Sequence, residues 1–337
     1  MNHSFIEQIA CYFPETILSN EEMGQLFPGF KVQELTRLTG VTSRHVTKPD
    51  ETSVDMGVKA VKHLFDHHSM DMADIGYVLF CSAGGDYITP PSACILHERV
   101  GLPPQCGALD FNQGCTGFLY GLSLADSLIG AGRAKKVLLV TAEAITKTLH
   151  EKDKANRAIF GDAGAATLIS ARPDTTLAGD FVFGTDGSKH EHIIIREGRE
   201  RFPITEFSNG DFIDAQGNVR NHRNFFMNGS EVFNFSVAKA PELVNELLGR
   251  YGLRMDQIDF FVFHQANRII LESIGRKLKI PENKLVIEIG TTGNTVSSTI
   301  PIALHAMERK GKLKRGMTIM LAGFGVGFSW GGTIVRY

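Results

Sequence analysis

A chain of 337 residues exceeds the size at which a single core stops growing, so two domains or one duplicated domain are expected. Its 35 Lys and Arg nearly cancel 37 Asp and Glu, which excludes a global pull toward nucleic acid or an anionic membrane; a polyanionic partner must meet a local patch. The five cysteines, Cys11, Cys81, Cys94, Cys106 and Cys115, form no CxxC or Cys/His cluster, which argues against a metal centre and for a reducing compartment.

The opening residues Met1 to Glu7 lack a basic stretch followed by an apolar one, so no export signal is read and a cytoplasmic location is expected. Helical and extended patterns then alternate, which predicts α/β architecture. Ile75 to Phe80 reads as a strand after a short acidic entry, Met72-Ala73-Asp74. Ala108 to Asn112 is extended, and after Gly114-Cys115-Thr116-Gly117 the residues Phe118, Leu119, Leu122 and Ala125 fall on one helical face. A Gly- and Lys-rich turn leads into the strand Lys136 to Ala142. Phe181 to Arg223 is polar and Gly/Asp/Asn-rich and reads as surface loops or a short hairpin. Helix-period patterns follow at Val232 to Arg250, Gln265 to Leu278 and about Ser298 to Lys310. Thr318 to Val335 carries no charge over 18 residues, the length of a membrane span. Its glycines weaken a helix by roughly 1 kcal/mol each and suit a buried hairpin instead.

Two strand pairs echo one another at nearly one offset. The segment around Ile75 resembles that around Ile258, 183 positions later, and Lys136 to Ala142 resembles Met317 to Gly323. Chance similarity of short apolar strands is an even bet for one pair, but the shared offset favours duplication, with halves 1–175 and 176–337.

Three residues stand out chemically. A lone cysteine is usually a small buried hydrophobe, and four of the five are assigned so. Cys115 occupies a strand-to-helix turn, where helix N–H groups and the dipole are expected to favour the thiolate. His264 opens His264-Gln265-Ala266-Asn267 at the end of the strand Phe260 to Phe263, the edge where open α/β sheets place their sites. Asn294 lies in Gly293-Asn294-Thr295-Val296-Ser297-Ser298, where bonding to its own loop is the plain alternative. Gly323-Phe324-Gly325-Val326-Gly327-Phe328-Ser329-Trp330-Gly331 lacks GxGxxG spacing and a following helix, so a turn presenting N–H groups to a substrate oxygen is the better functional reading.

In order and spacing these motifs resemble the β-ketoacyl-ACP synthase III family across essentially the whole chain, including Phe160-Gly161-Asp162-Ala163-Gly164-Ala165-Ala166, Gly184 to Ser188 and Met227 to Phe233. The resemblance implies a five-layered αβαβα thiolase-like fold of two pseudo-repeated halves, a homodimer, and neither metal nor redox cofactor. It implies that Cys115 is acylated from a CoA or carrier-protein thioester. His264 and Asn294 then stabilise the enolate left when a malonyl thioester loses carbon dioxide, and the product is a 3-oxoacyl thioester. Asn267, Phe324, Gly325 and Val326 fall at substrate-binding positions, with the N–H groups of Cys115 and Val326 as oxyanion donors and Phe324 beside the malonyl carboxylate. Lys154 stands where an arginine contacts the CoA phosphates. Glu34 and Leu38 replace an adenine-stacking tryptophan and its arginine, which points to a specialised pathway. Arg268, Arg276 and Lys277 form a candidate patch for an acidic acyl carrier protein, a merely solvated basic face being the alternative. Two rivals stay open: an acyltransferase passing the acyl group to an alcohol or amine, and a noncatalytic partner subunit.

Overall fold

The computed structural model describes residues 3–29, 31–66, 71–172, 178–205, 208, 210–214 and 217–337; the expected division near residue 175 lies outside them. The main strands are β1 (His3–Tyr12), β2 (Ile75–Cys81), β3 (Gly107–Phe111), β4 (Lys136–Glu143), β5 (Ala163–Arg172), β6 (Ala178–Thr185), β7 (Phe260–Phe263), β8 (Thr318–Gly325) and β9 (Ser329–Arg336). The main helices are α1 (Ser53–Asp66), α2 (Ser92–Val100), α3 (Gly117–Gly130), α4 (Gly229–Tyr251), α5 (Arg268–Leu278) and α6 (Thr299–Arg309).

These strands form two sheets, in the orders β1-β5-β4-β2-β3 and β6-β9-β8-β7. Pairing sense repeats between them: β2 and β4 are parallel, as are β7 and β8, and each parallel pair continues into two antiparallel neighbours. Registers match too, with Leu79 opposite Leu139 and Val262 opposite Leu321. Helices α1 and α2 cover the outside of the first sheet, α3 and α6 lie between the sheets, and α4 and α5 cover the second, which gives the five αβαβα layers.

Burial on both faces explains why the central strands read as unbroken apolar runs. Along β4, Val137 and Leu139 enter the middle layer while Leu138 and Val140 meet α1 and α2. Along β8, Ile319 and Leu321 point to the middle layer and Met320 and Ala322 to the α4 and α5 side. The uncharged stretch from Thr318 is thus the antiparallel pair β8 and β9. No helix among the described residues is long and apolar enough to cross a membrane. All five cysteines are free.

One expectation is corrected at Phe181 to Thr185, which is not surface loop but the strand β6, paired with β9. Phe181 and Phe183 stack against each other and pack on the middle layer, so burial outweighs the polar flanks. Beyond it, Ile193–Ile194 pairs with Phe226–Met227 and Phe212–Ile213 with Val219–Arg220.

Asp162, wholly buried, ties three segments that approach the site. Its carboxylate accepts from the N–H and hydroxyl of Thr47, both at 2.8 Å, and from the N–H and hydroxyl of Thr146. Removing it orphans the buried Thr47 N–H and the part-buried Thr146 N–H, at about 1–3 kcal/mol for a buried donor. Asp162→Ala is therefore expected to lose about 3 kcal/mol in denaturant unfolding, and a loss below about 1 kcal/mol would contradict this account.

Candidate active site

A cavity of about 790 Å³ opens where the carboxyl ends of both sheets converge. Ala83 to Asp86 follow β2, Cys115 follows β3, Glu143 ends β4, His264 follows β7, and Phe324 to Val326 end β8. Cys115, His264, Asn294, Asn267, Phe324, Gly325 and Val326 all line this one space.

Cys115 lies in a single 3-10 turn, Gly114–Thr116, that precedes α3. The turn needs Gly114, whose φ is +51° and whose added Cβ would meet the Val326 Cγ1 at 2.6 Å. From the other side the Gly325 backbone packs against the sulfur, so that a Cβ there would sit 2.6 Å from Cys115 Sγ. The backbone N–H groups of Val326 and of Cys115 itself face the sulfur.

The expected lowering of the thiol pKa is not what the site produces. Burial pushes the Cys115 thiol up to about 12, the nearby Glu143 carboxylate adds to the rise, and the Val326 and Cys115 N–H groups oppose it. The 3-10 turn separates the sulfur from the first turn of α3, and loss of water outweighs what the helix end offers.

His264 is 4% exposed, and burial holds its imidazole down to about 3, with a backbone contact to Val296 pulling the other way. The ring is therefore neutral at neutral pH. Its Nδ1 lies 2.6 Å from the Thr299 hydroxyl, while Nε2, also buried, has no hydrogen-bond partner in the site. The Thr299 hydroxyl also reaches the Val296 carbonyl at 3.1 Å, but one proton serves one acceptor. When it goes to Nδ1, at the shorter distance, the ring proton sits on Nε2.

Asn294 makes the local bond expected of its loop and also lines the cavity. Its Oδ1 accepts from the Val296 N–H at 2.9 Å, within its own loop, and that bond fixes the amide with Nδ2 as the remaining donor. Its backbone bridges Phe160, with the N–H donating to the Ile159 carbonyl at 2.8 Å. Asn267 also has a local task, since its Oδ1 accepts from the Ile270 N–H at 2.9 Å and caps α5, which accounts for the helix starting at Arg268 rather than Gln265.

Other predicted residues are not brought to the cavity. Lys154 heads a short helix, Lys154–Arg157, outside the lining. Arg268 is half-buried against Gly40, whose added Cβ would lie 2.9 Å from the Arg268 Cβ. Arg276 and Lys277 are exposed farther along α5, bonded to Ser273 Oγ and the Val237 carbonyl. Glu34 and Leu38 lie on Val32–Thr39, which packs on α5. Conversely, Glu143 and Thr299 escaped the sequence reading. Glu143 stands at a strand's carboxyl end, the same signal that singled out His264.

The neutral thiol carries a testable consequence. Alkylation of Cys115 by iodoacetamide, followed by peptide mapping, is expected to be slow at pH 7 and to rise about tenfold per unit through pH 10, because only thiolate reacts. A plateau reached below pH 8 would contradict the neutral thiol.

Comparisons with known proteins follow the same geometry. Residues 109–187 match the family model for 3-oxoacyl-[acyl-carrier-protein (ACP)] synthase III, and residues 248–337 match the model for its C-terminal part. The beta-ketoacyl-[acyl-carrier-protein] synthase III of Nitratidesulfovibrio vulgaris strain DP4 is 32% identical over 338 residues, spanning 99% of each chain. A crystal structure of a 3-oxoacyl-(acyl-carrier-protein) synthase III superposes with a TM-score of 0.98 at 42% identity, over 99% of this chain and 100% of the other. The corresponding enzyme of Thermus thermophilus gives 0.86 at 28% identity, over 99% of each.

Proposed function

The chain belongs to the 3-oxoacyl-[acyl-carrier-protein] synthase III family and is a condensing acyltransferase, and from that premise we propose how its cavity divides the reaction between residues. The observation that carries the proposal is the convergence of Cys115, His264 and Asn294 on one cavity, with N–H groups at the sulfur.

In the first step the Cys115 sulfur attacks the carbonyl of an acyl thioester carried by CoA or an acyl carrier protein. A C–S bond forms, the donor's C–S bond breaks, and the Cys115 proton leaves with the departing thiol. The N–H groups of Cys115 and Val326 receive the transient oxyanion. In the second step a malonyl thioester binds with its carbonyl oxygen between His264 Nε2–H and Asn294 Nδ2–H. Loss of carbon dioxide leaves an enolate on that oxygen, stabilised by both donors. Its carbon attacks the acyl group, the 3-oxoacyl thioester leaves, and the Cys115 thiolate regains a proton from solvent. Phe324 places an apolar ring by the malonyl carboxylate, where a charged group is disfavoured and its loss favoured. The residues supply every step, and the thioesters are substrates rather than cofactors.

A second copy of the chain and a carrier protein complete the proposal. Edge strand β3 is paired on one side, to β2, and exposes 47% of Leu109, a surface suited to a homodimer. Arg276 and Lys277, with Arg268 nearer the cavity, offer a basic rim to an acidic carrier, and Lys154 is kept for the outer part of the thioester's carrier. Glu34 and Leu38 leave that outer part without an aromatic stack, which favours a specialised primer.

Intact-protein mass spectrometry tests the core of the reading. A panel of acyl-CoAs and acyl-carrier proteins is expected to give a mass gain that Cys115→Ala abolishes and malonyl-carrier protein discharges with carbon dioxide release. His264→Ala and Asn294→Ala are expected to keep the gain and slow carbon dioxide release by about a hundredfold or more. Discharge by an alcohol or amine alone, or no adduct from any donor, would overturn it.

For the carrier rim, Arg276→Glu with Lys277→Glu is expected to weaken carrier-dependent turnover, most strongly at low salt. Unchanged turnover would remove that assignment.

A further inference from the structure

Glu143 is a cavity residue to which the mechanism gives no task. Glu143 ends β4 and is 1% exposed, and its carboxylate is met by neutral donors: the Ser297 hydroxyl at 2.6 Å, the Ala83 N–H at 2.9 Å and the Ser82 hydroxyl at 3.4 Å. Burial pushes the carboxyl up to about 7, so the ionised form is held at a cost that an apolar pair in the same place would avoid. Its charge also raises the Cys115 thiol, which works against acylation. Assistance to the nucleophile therefore does not explain it.

What Glu143 reaches through Ser297 does. Ser297 follows Val296, a β-branched residue at φ +53°, in the left-handed region that such side chains rarely adopt. This turn aims the Val296 N–H at Asn294 Oδ1 and so fixes the Asn294 amide. The next two hydroxyls continue the pattern: Ser298 Oγ lies 2.9 Å from Thr141 Oγ1, and Thr299 Oγ1 lies 2.6 Å from His264 Nδ1. Three consecutive hydroxyls thus grip the end of β4 and the imidazole, and the short bond to a carboxylate is the strongest type among them.

We propose that Glu143 is a positioning residue for the decarboxylation step: through Ser297 it holds Val296 in its left-handed turn and thereby aims the Asn294 amide and the Thr299 hydroxyl beneath His264. The inference rests on the roles given to His264 and Asn294 above. Val296 packs in the same cluster as Cys115, but the turn sends its hydrogen bonds to Asn294 and, through Thr299, to His264 rather than to the sulfur, so decarboxylation is expected to lose more than acylation.

The test uses the full chain as Glu143→Gln, Glu143→Ala, Ser297→Ala and the Glu143→Ala/Ser297→Ala double variant. Cys115 acylation is read by intact mass, and carbon dioxide release from malonyl-carrier protein is read as kcat and KM. Acylation is expected at the parent rate or faster in Glu143→Gln, which removes the charge beside the sulfur. The kcat for carbon dioxide release is expected to fall about ten- to a hundredfold in Glu143→Ala with little change in KM, less in Glu143→Gln, and no further in the double variant than in Glu143→Ala. Should Glu143→Ala fail to fold, Ser297→Ala reads the same link from its other end. Equal loss of both half-reactions, additive losses in the double variant, or parent-rate carbon dioxide release in Glu143→Ala would overturn the inference. Asn294→Ala separates the two levels: if it is slow while Glu143→Ala is not, the inference alone fails; if it too runs at the parent rate, the underlying reading fails and takes the inference with it.

Discussion

Asn294 reaches the cavity from one backbone seam, where Ile159 to Gly161 meet Gly293 and Asn294. Asn294 N–H donates to the Ile159 carbonyl at 2.8 Å and Gly161 N–H to the Asn294 carbonyl at 3.1 Å. The approach leaves no room for side chains. A Cβ on Gly161 would fall 2.3 Å from the Thr292 carbonyl, and one on Gly293 would fall 2.6 Å from the Ile159 carbonyl. Buried Arg44 donates to the Ala158 carbonyl at 2.8 Å, and Asp162 anchors the far side to Thr47 and Thr146. Because Asn294 is carried on this seam and Cys115 on the turn after β3, packing at the seam and the relative placing of the two residues are coupled. A side chain inserted at the seam reaches stability and geometry together.

Burial is the second constraint, and it disfavours standing charge at the reacting groups. It drives the Cys115 thiol up to about 12, the His264 imidazole down to about 3 and the Glu143 carboxyl up to about 7. With the nucleophile a thiol and the ring neutral, fixed N–H donors carry the electrostatics rather than standing charges. Such donors need no reorganisation when charge develops on a substrate oxygen. On the proposed reaction the charge arrives with the malonyl carboxylate and, as neutral carbon dioxide leaves, passes to the enolate oxygen, where fixed donors meet it.

How much of this was legible in the sequence follows from what each signal measures. Strands buried on both faces are continuous apolar runs, so β2, β4, β7 and β8 could be read directly, and the ends of β3 and β7 pointed to Cys115 and His264. Glu143 was passed over because one carboxylate closing an apolar run looks like an ordinary strand terminus. The hydroxyls of Ser297 to Thr299 looked like loop polarity, since their partners lie 154, 157 and 35 positions away. Phe181 to Phe183 were masked by polar neighbours, although three consecutive apolar, β-favouring residues could have marked a short strand. The thiol shift was misjudged for a physical reason: a helix end can be inferred from spacing, whereas the water removed from a sulfur depends on segments far away in the chain, chiefly Gly325 and Val326.

The division between backbone and side chain at the sulfur bears on how such a site can vary. Gly114 shapes the turn that carries Cys115 and Gly325 packs main chain against its sulfur, and the donors facing the sulfur are main-chain N–H groups. Substituting residue 326 leaves its N–H in place, so a valine there can change the shape of the pocket without removing a donor. The Val326 side chain uses that freedom, since its Cγ1 occupies the space that a Cβ on Gly114 would need. Chemistry that depends on backbone is insulated from substitution, and the wall of the cavity contributed by Ile145, Phe160, Ile193, Phe225 and Met227 is not. Differences in acyl group between members built on this frame are therefore to be sought in that wall, and differences in the malonyl step in the turn that aims Asn294.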